Sequence, residues 1–299
     1  MTLVQRQMKR FYTGCWVGNQ EGPNMNTNRR WLATTGTLLA ALLAWGSNTL
    51  RSETTALTVD QQEAFLRTAK VINAKGNKKG VTATVRVTLT DGKITHDASV
   101  QRIYEHKQTF QVGGITVVNF KDTYEDNIAA WKLARLLGLD DLLPPTVDRK
   151  YQGQPASFTW YIDDYQMDEA DRLTKKITPP DPETWAKQIN VQHVFDQLIY
   201  NWDSNATNLL IDKQWRVWLI DQSRSFRMEK TLENPKMLNQ CDRALLARLK
   251  TLDEATLTKE LKPYVTKEEI KGLLARRDLI VKFFEAKGEG ALFDRPVWH

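Results

Sequence analysis

Asp203, Asn208 and Asp221 are the residues of this 299-residue chain whose types and spacing could do chemistry. Two carboxylates and a carboxamide present hard oxygen atoms, the ligands that Mg²⁺ takes together with phosphate oxygens and water. All three stand at the edges of apolar segments, where an unpaired carboxylate is costly unless a cation or a donor meets it. The cluster reads as a place to hold a divalent cation and, through it, a phosphate ester.

The elements that must position these groups lie in residues 191–227. Val191, Phe195, Leu198, Ile199 and Trp202 recur at helical spacing, so a helix with one apolar face carries its end into the core. The loop 203–208 is polar apart from Ala206. Apolar runs at 209–211 and 217–220 read as two short strands joined by a turn at Lys213 and Gln214, and the second run stops at Asp221.

An Asp, an Asn five residues on and an Asp thirteen beyond that is also the spacing of the phosphoryl-transfer loop in protein-kinase-like enzymes. The segment Asn201-Trp-Asp203-x4-Asn208 followed by Leu-Ile-Asp221-Gln-Ser-x-x-Phe226 resembles the core of the atypical kinases: HipA-like, phosphatidylinositol-kinase-like and secretory-pathway-kinase-like. Upstream, 127–139 (NIAAWKLARLLGL) and 144–147 (PPTV) are similar to the helix and strand signature of the same group. The likeness spans roughly residues 95–230 and is closest to a set of exported bacterial proteins with this core. It implies an α+β, two-lobed protein-kinase-like fold, with a small β-rich N-lobe over 80–163 and a helical C-lobe over 164–299. It also implies ATP as phosphoryl donor, Mg²⁺ or Mn²⁺ held by Asn208 and Asp221, and Asp203 as the catalytic group that orients or deprotonates the acceptor hydroxyl. Two positions depart from the pattern. Ser204 follows the catalytic Asp where a basic residue or His is usual, and Asn127 replaces the helix Glu that pairs with the ATP-anchoring Lys. Lys107, ending a strand-like stretch that begins at Val100, is the preferred phosphate-contacting lysine, and Lys121 the alternative.

Residues 1–46 carry five basic residues against one acid, and 31–45 form an uncharged, mostly apolar run. Followed by the small-x-small site 44–46, this reads as a secretory signal peptide, with conventional proportions if the chain starts at Met25. The expectation is an exported protein, with no stable membrane insertion after cleavage. The alternative is an anchor through the apolar segment, which is shorter than the roughly 20 residues a spanning helix needs. The leader carries +4 of the total +6, and no basic block with interleaved aromatics follows, so nucleic acid is not an expected partner. Oligomeric state and acceptor are not encoded in any motif. Cys15 falls in the leader and Cys241 stands alone, which leaves no intrachain disulfide framework and marks Cys241 as a packing residue. His96, His106 and His193 share no metal-ligand spacing.

Over 47–79 the pattern predicts a linker, then a helix from Asp60 to Ala74. The first clear strand is 81–89, and Asp91-Gly92 is a hairpin turn signal. A glycine-rich loop is not apparent at that turn. A helix over 127–137 is expected to stop at Gly138, and another to start behind Asp181 and Pro182. Residues 158–162 read as a strand, 167–176 as a charged helix. Thr266 to Glu269 forms a capping box for a long helix, and the tail from Lys287 is expected to fray. Against the kinase-like phosphotransferase stands a second reading: an exported pseudokinase, or a module that takes a metal or phospholigand without catalysis.

Overall fold

The computed structural model of the chain describes residues 57–76, 84–112 and 114–296. The leader and its apolar run lie outside the described residues. The chain divides into two units, and the one of Leu57–Phe110 with Thr116–His299 carries the fold described here.

Helix α1 (Val59–Thr68) opens on a capping box in which Thr58 and Gln61 exchange side-chain-to-backbone bonds. It buries Phe65 and Leu66 against a five-stranded antiparallel sheet. Its strands are β1 (Lys70–Gly76), β2 (Val85–Thr90) and β3 (Thr95–Gln101), followed after an excursion by β6 and β7. The excursion holds the two-stranded pair β4 (Tyr104–Val112) and β5 (Ile115–Thr123) and then helix α2 (Tyr124–Leu137). The remaining sheet strands are β6 (Thr146–Tyr151) and β7 (Gln154–Trp160), in the order β1-β2-β3-β7-β6. Alternation drives the inner face: Val87, Leu89, Ala98, Val100, Val147, Ala156 and Phe158 are all buried there. Gly92 has φ 90°, and the Asp91 carboxylate accepts from the Lys93 and Ile94 amides, so the expected turn forms.

The expected helix from Asp60 to Ala74 is shorter than its pattern. It ends at Thr68, and residues 70–76 pair with β2 as an edge strand carrying a bulge at Val71/Asn73. Lys70-Val-Ile-Asn suits a pleated surface once a neighbouring strand offers its ladder, and that pairing overrides local helix preference. The first hairpin of the lobe is therefore β1–β2, and Asp91-Gly92 joins the second and third strands. The connection after Gly76, of sequence Asn-Lys-Lys-Gly80, lies outside the described residues.

The second lobe is mostly helical. It contains β8 (Tyr165–Asp168), α3 (Glu169–Lys175), α4 (Pro182–Ile199), β9 (Leu209–Asp212) and β10 (Val217–Leu219), then β11 (Cys241–Asp242), α5 (Arg243–Thr251), α6 (Glu254–Leu261), α7 (Lys267–Lys287) and β12 (Leu292–Phe293). Asp181 caps α4 by accepting from the Glu183 and Thr184 amides at 3.1 Å, with Pro182 at the first turn. Gly138 ends α2 at φ 64°, and Thr266 with Glu269 closes the capping box of α7. Met167 differs from expectation: it belongs to β8, opposite Ile211 of β9, and the helix begins only at Glu169 with Asp168 as its cap. Through residue 296 the tail does not fray. Leu292 and Phe293 pair in parallel with Cys241 and Asp242, and Arg295 meets Asp141 at 2.7 Å. Cys241 is a packing residue whose thiol burial pushes up to about 12.

One core cluster fills this lobe and includes Trp131, Leu133 and Leu137 of α2 as well as Phe195, Leu198 and Phe226. Each fully buried Phe or Leu contributes on the order of 2 kcal/mol. Arg276 of α7 is fully buried and donates from Nε to the Leu198 carbonyl (2.8 Å) and from Nη1 to that of Arg227 (2.9 Å). It locks the end of α4 to the chain that follows Asp221. Gly272 permits this approach, since a Cβ there would stand 2.9 Å from the Arg227 carbonyl oxygen. Among the described residues no helix is long and apolar enough to cross a membrane.

Candidate active site

Helix α4 ends at Tyr200, which takes the left-handed conformation (φ 54°) and turns the chain into the polar loop. The loop is hung on Asp196, a buried carboxylate in the last turn of α4. Gln192 and Ser204 donate to one of its oxygens (2.6 and 2.7 Å), Asn201 to the other (3.2 Å). Ser204, the departure noted in the sequence, thus closes the loop by hydrogen bonding. Burial pushes the Asp196 carboxyl up to about 6, against those three donors. A carboxyl that holds its proton more tightly folded than unfolded contributes stability below the unfolded value, and that contribution is lost as pH rises through the folded one. We expect the unfolding free energy to lose on the order of 3 kcal/mol from this group between about pH 4 and pH 6. Urea melts of the chain and of Asp196→Asn across that range check it. Parallel pH profiles would show that Asp196 titrates normally.

A 3-10 turn, Ala206–Asn208, leads into β9, and the Asn205 side chain accepts from the Thr207 amide at its start. Because Leu209 pairs with Leu219, the register sets Asn208 beside Ile220, whose amide donates to the Asn208 carbonyl at 3.0 Å. Asp221 comes next in the chain. Its φ of 57° is left-handed, a conformation that Asp tolerates better than most residues but still at a cost of roughly 1 kcal/mol. Here it turns one carboxylate oxygen toward Gln101, which donates to it at 3.2 Å.

Gln101, the last residue of β3, was not singled out in the sequence and is the central surprise of the site. It is 9 % exposed and accepts through its amide oxygen from Asn127 of α2. Asn127 in turn accepts from the Gln222 backbone amide at 2.7 Å, and the Gln222 side chain accepts from Asn201 at 2.9 Å. An unbroken hydrogen-bonded chain therefore runs from Ser204 through Asp196, Asn201, Gln222, Asn127 and Gln101 to Asp221. Where the resemblance implies a helix Glu, Asn127 pairs with a neutral Gln. The strand-like stretch from Val100 to Lys107 hid this, because it is two strands, with the break at 102–103.

Asp203 is 42 % exposed at its side chain and accepts from Nη1 of Arg224 at 2.9 Å. Nε of Arg224 donates to the buried Asp122 at 2.7 Å, and the guanidinium also stands 5.6 and 5.7 Å from the ring centroids of Phe120 and Trp202. Burial raises the Asp203 carboxyl above its usual range, Arg224 opposes this, and the charges of Asp221 and Asp122 add to it. Burial alone would lower the proton affinity of Arg224, but Asp122, Asp203 and Asp221 more than offset it. Ion pairs join Asp122, Arg224 and Asp203, and the charge of Asp221 adds to the shifts of Asp203 and Arg224. Sequence spacing found two of the four. Asp122 and Arg224 carry no motif.

The two lysines lie differently. Lys107 is 44 % exposed, paired with Glu105 at 2.7 Å and placed over Phe110 at 4.9 Å. Lys121 is largely buried and divided between Asp126 (2.7 Å) and Glu269 (2.6 Å), and those two acids hold its pKa up despite burial. Neither makes a hydrogen bond or ion pair with Asp203, Asn208 or Asp221. Among the described residues, no group of three or more His, Cys, Asp and Glu is placed to hold a metal ion. One carboxylate and one amide nevertheless suit Mg²⁺ or Mn²⁺, which complete their shells with phosphates and water.

A small antiparallel sheet, a helical lobe behind it and a polar loop between α4 and a short β-hairpin define an atypical protein-kinase-like fold. No protein-family model and no curated protein matches the chain. Solved structures similar to it include that of hydra Fam20 with sugar, 17 % identical with a TM-score of 0.56, the match covering 79 % of this chain and 92 % of that one. A structure of the Golgi casein kinase is 12 % identical at a TM-score of 0.56, with 80 % of this chain and 79 % of that one covered. A second, with Mn and ADP bound, is 13 % identical at 0.55, with coverage of 79 % and 78 %.

Proposed function

We propose that the chain is a kinase-like phosphotransferase that moves the γ-phosphoryl group of a nucleoside triphosphate, ATP by preference, to a hydroxyl acceptor with Mg²⁺ or Mn²⁺. The observation that supports this reading is the β9–β10 register, which sets Asn208 beside Ile220 with Asp221 next in the chain, while Asp203 heads the loop that leads into β9. Asn208 and Asp221 would hold the metal, which when bound would supply positive charge against the charge that develops in transfer. Asp203 orients the acceptor hydroxyl and takes its proton as the oxygen bonds to phosphorus. The bond between phosphorus and the β–γ bridging oxygen breaks, and its electron pair leaves with the nucleoside diphosphate. The raised pKa of Asp203 makes it a better base than an ordinary carboxylate. Manganese and ADP in a Golgi casein kinase of similar fold support the choice of ligands. The leader over 1–46 supports export to a periplasmic or extracellular site of action.

The neutral Gln101–Asn127 pair favours a second reading, an exported pseudokinase that binds nucleotide or a phospholigand without transfer. The full chain, γ-labelled ATP and MnCl₂ or MgCl₂ separate the two. Label on the protein or on an added hydroxyl acceptor, lost without metal, is the expected result. Nucleotide binding with no transfer under either metal would leave the second reading, and no binding at all would remove both.

A further inference from the structure

Arg224 is the only cation whose head group lies among the three carboxylates of the site within the described residues. Its Nε is fixed by Asp122 at 2.7 Å and its Nη1 by Asp203 at 2.9 Å. A guanidinium has five N–H donors, and here the Nη2 amino group makes no hydrogen bond among the described residues. The side chain keeps 20 % of its surface exposed, so that open end is reachable. Asp122, Asp203 and Asp221 without a cation would repel a polyphosphate. One Arg and one divalent metal together would neutralise them.

Neither lysine from which the resemblance expects a phosphate contact is paired with an acid of the site. The partner of Asn127 is Gln101, a neutral amide already committed to Asn127 and Asp221. Lys121 is spent on Asp126 and Glu269, and Lys107 on Glu105. We propose that Arg224 is the residue that contacts the β- and γ-phosphates of the bound nucleotide, taking over the charge that a strand lysine would supply. This rests on the phosphotransferase reading. Two acids and two rings hold the guanidinium in place, so little of its side-chain freedom is lost when phosphate arrives. An Arg fork also matches phosphate geometry in two-point contact better than an ammonium does.

Titrations of the full chain with ATP, ADP and AMP in MgCl₂, beside Arg224→Gln and Arg224→Lys, test the assignment. Loss of a charge-assisted contact predicts ATP affinity reduced roughly 10- to 100-fold in Arg224→Gln. AMP, which lacks the outer phosphates, should bind within about threefold of the parent, and Arg224→Lys should recover part of the loss. A purely structural role would weaken ATP and AMP alike and lower the ligand-free melting temperature, which overturns the proposal. Unchanged ATP binding in Arg224→Gln, or loss of ATP selectivity in Lys107→Gln instead, overturns it while leaving the phosphotransferase reading intact. Absence of nucleotide binding by the parent chain would end both.

Discussion

Asp203→Asn is expected to lower phosphoryl transfer by about 10²- to 10⁴-fold, the range of a lost general base, while ATP still binds. Asp221→Asn is expected to fail at the earlier step and lose the metal-dependent part of ATP binding. The contrast follows from geometry. Asp203 is partly exposed on the polar loop and contacts Arg224, so removing its charge alters the group that meets the acceptor. Asp221 lies next to Ile220, which Asn208 grips, and its carboxylate is turned by its left-handed backbone toward Gln101. Asn preserves both the backbone preference and an acceptor for Gln101, so the substitution isolates the charge. Calorimetric titration of each variant with ATP, with and without MnCl₂, and a transfer assay check the pair. Full transfer in Asp203→Asn, or metal-enhanced binding retained in Asp221→Asn, contradicts these roles.

Lys121→Met is expected to destabilise the fold by about 3–5 kcal/mol, the cost of breaking a buried ion pair from one side. The ammonium sits between Asp126, which is fully buried on α2, and Glu269, the capping-box residue of α7, whose other oxygen accepts from the Thr266 amide at 2.7 Å. One cation cannot satisfy two carboxylates, and burial raises the proton affinity of Asp126 in particular. Without Lys121 both acids lose the ammonium they share, and the link from β5 to α2 and α7 goes with it. For a unit of this size the melting temperature should fall by roughly 10 °C. Urea denaturation and ATP titration read the two possible roles separately. A phosphate-contacting Lys121 would lose ATP affinity at unchanged stability, and that result would refute the structural role.

What the sequence by itself determined is what local chemistry encodes. The spacing of Asp203, Asn208 and Asp221 was visible because all three lie within one helix–loop–hairpin unit whose register is set by near neighbours. The stops and starts at Gly138, Asp181 and Thr266 were visible for the same reason, since a cap satisfies backbone groups within its own turn. The two-lobed α+β fold was implied by the resemblance carried on residues 95–230. Local pattern misled at Lys70–Gly76 and at Met167, where a partner strand decides the conformation, and at the tail, which β11 holds in place.

Only the tertiary structure decided the electrostatics of the site. Gln101 meets Asn127 across 26 residues of sequence, and Arg224 meets Asp122 across 102. No periodicity or motif links such positions. They come together because the ends of β3, β5 and α2 meet the segment that follows β10, where the Thr123 amide also donates to the Ser223 carbonyl at 2.8 Å, and polar side chains at such buried ends must find one another or pay the desolvation cost of standing alone.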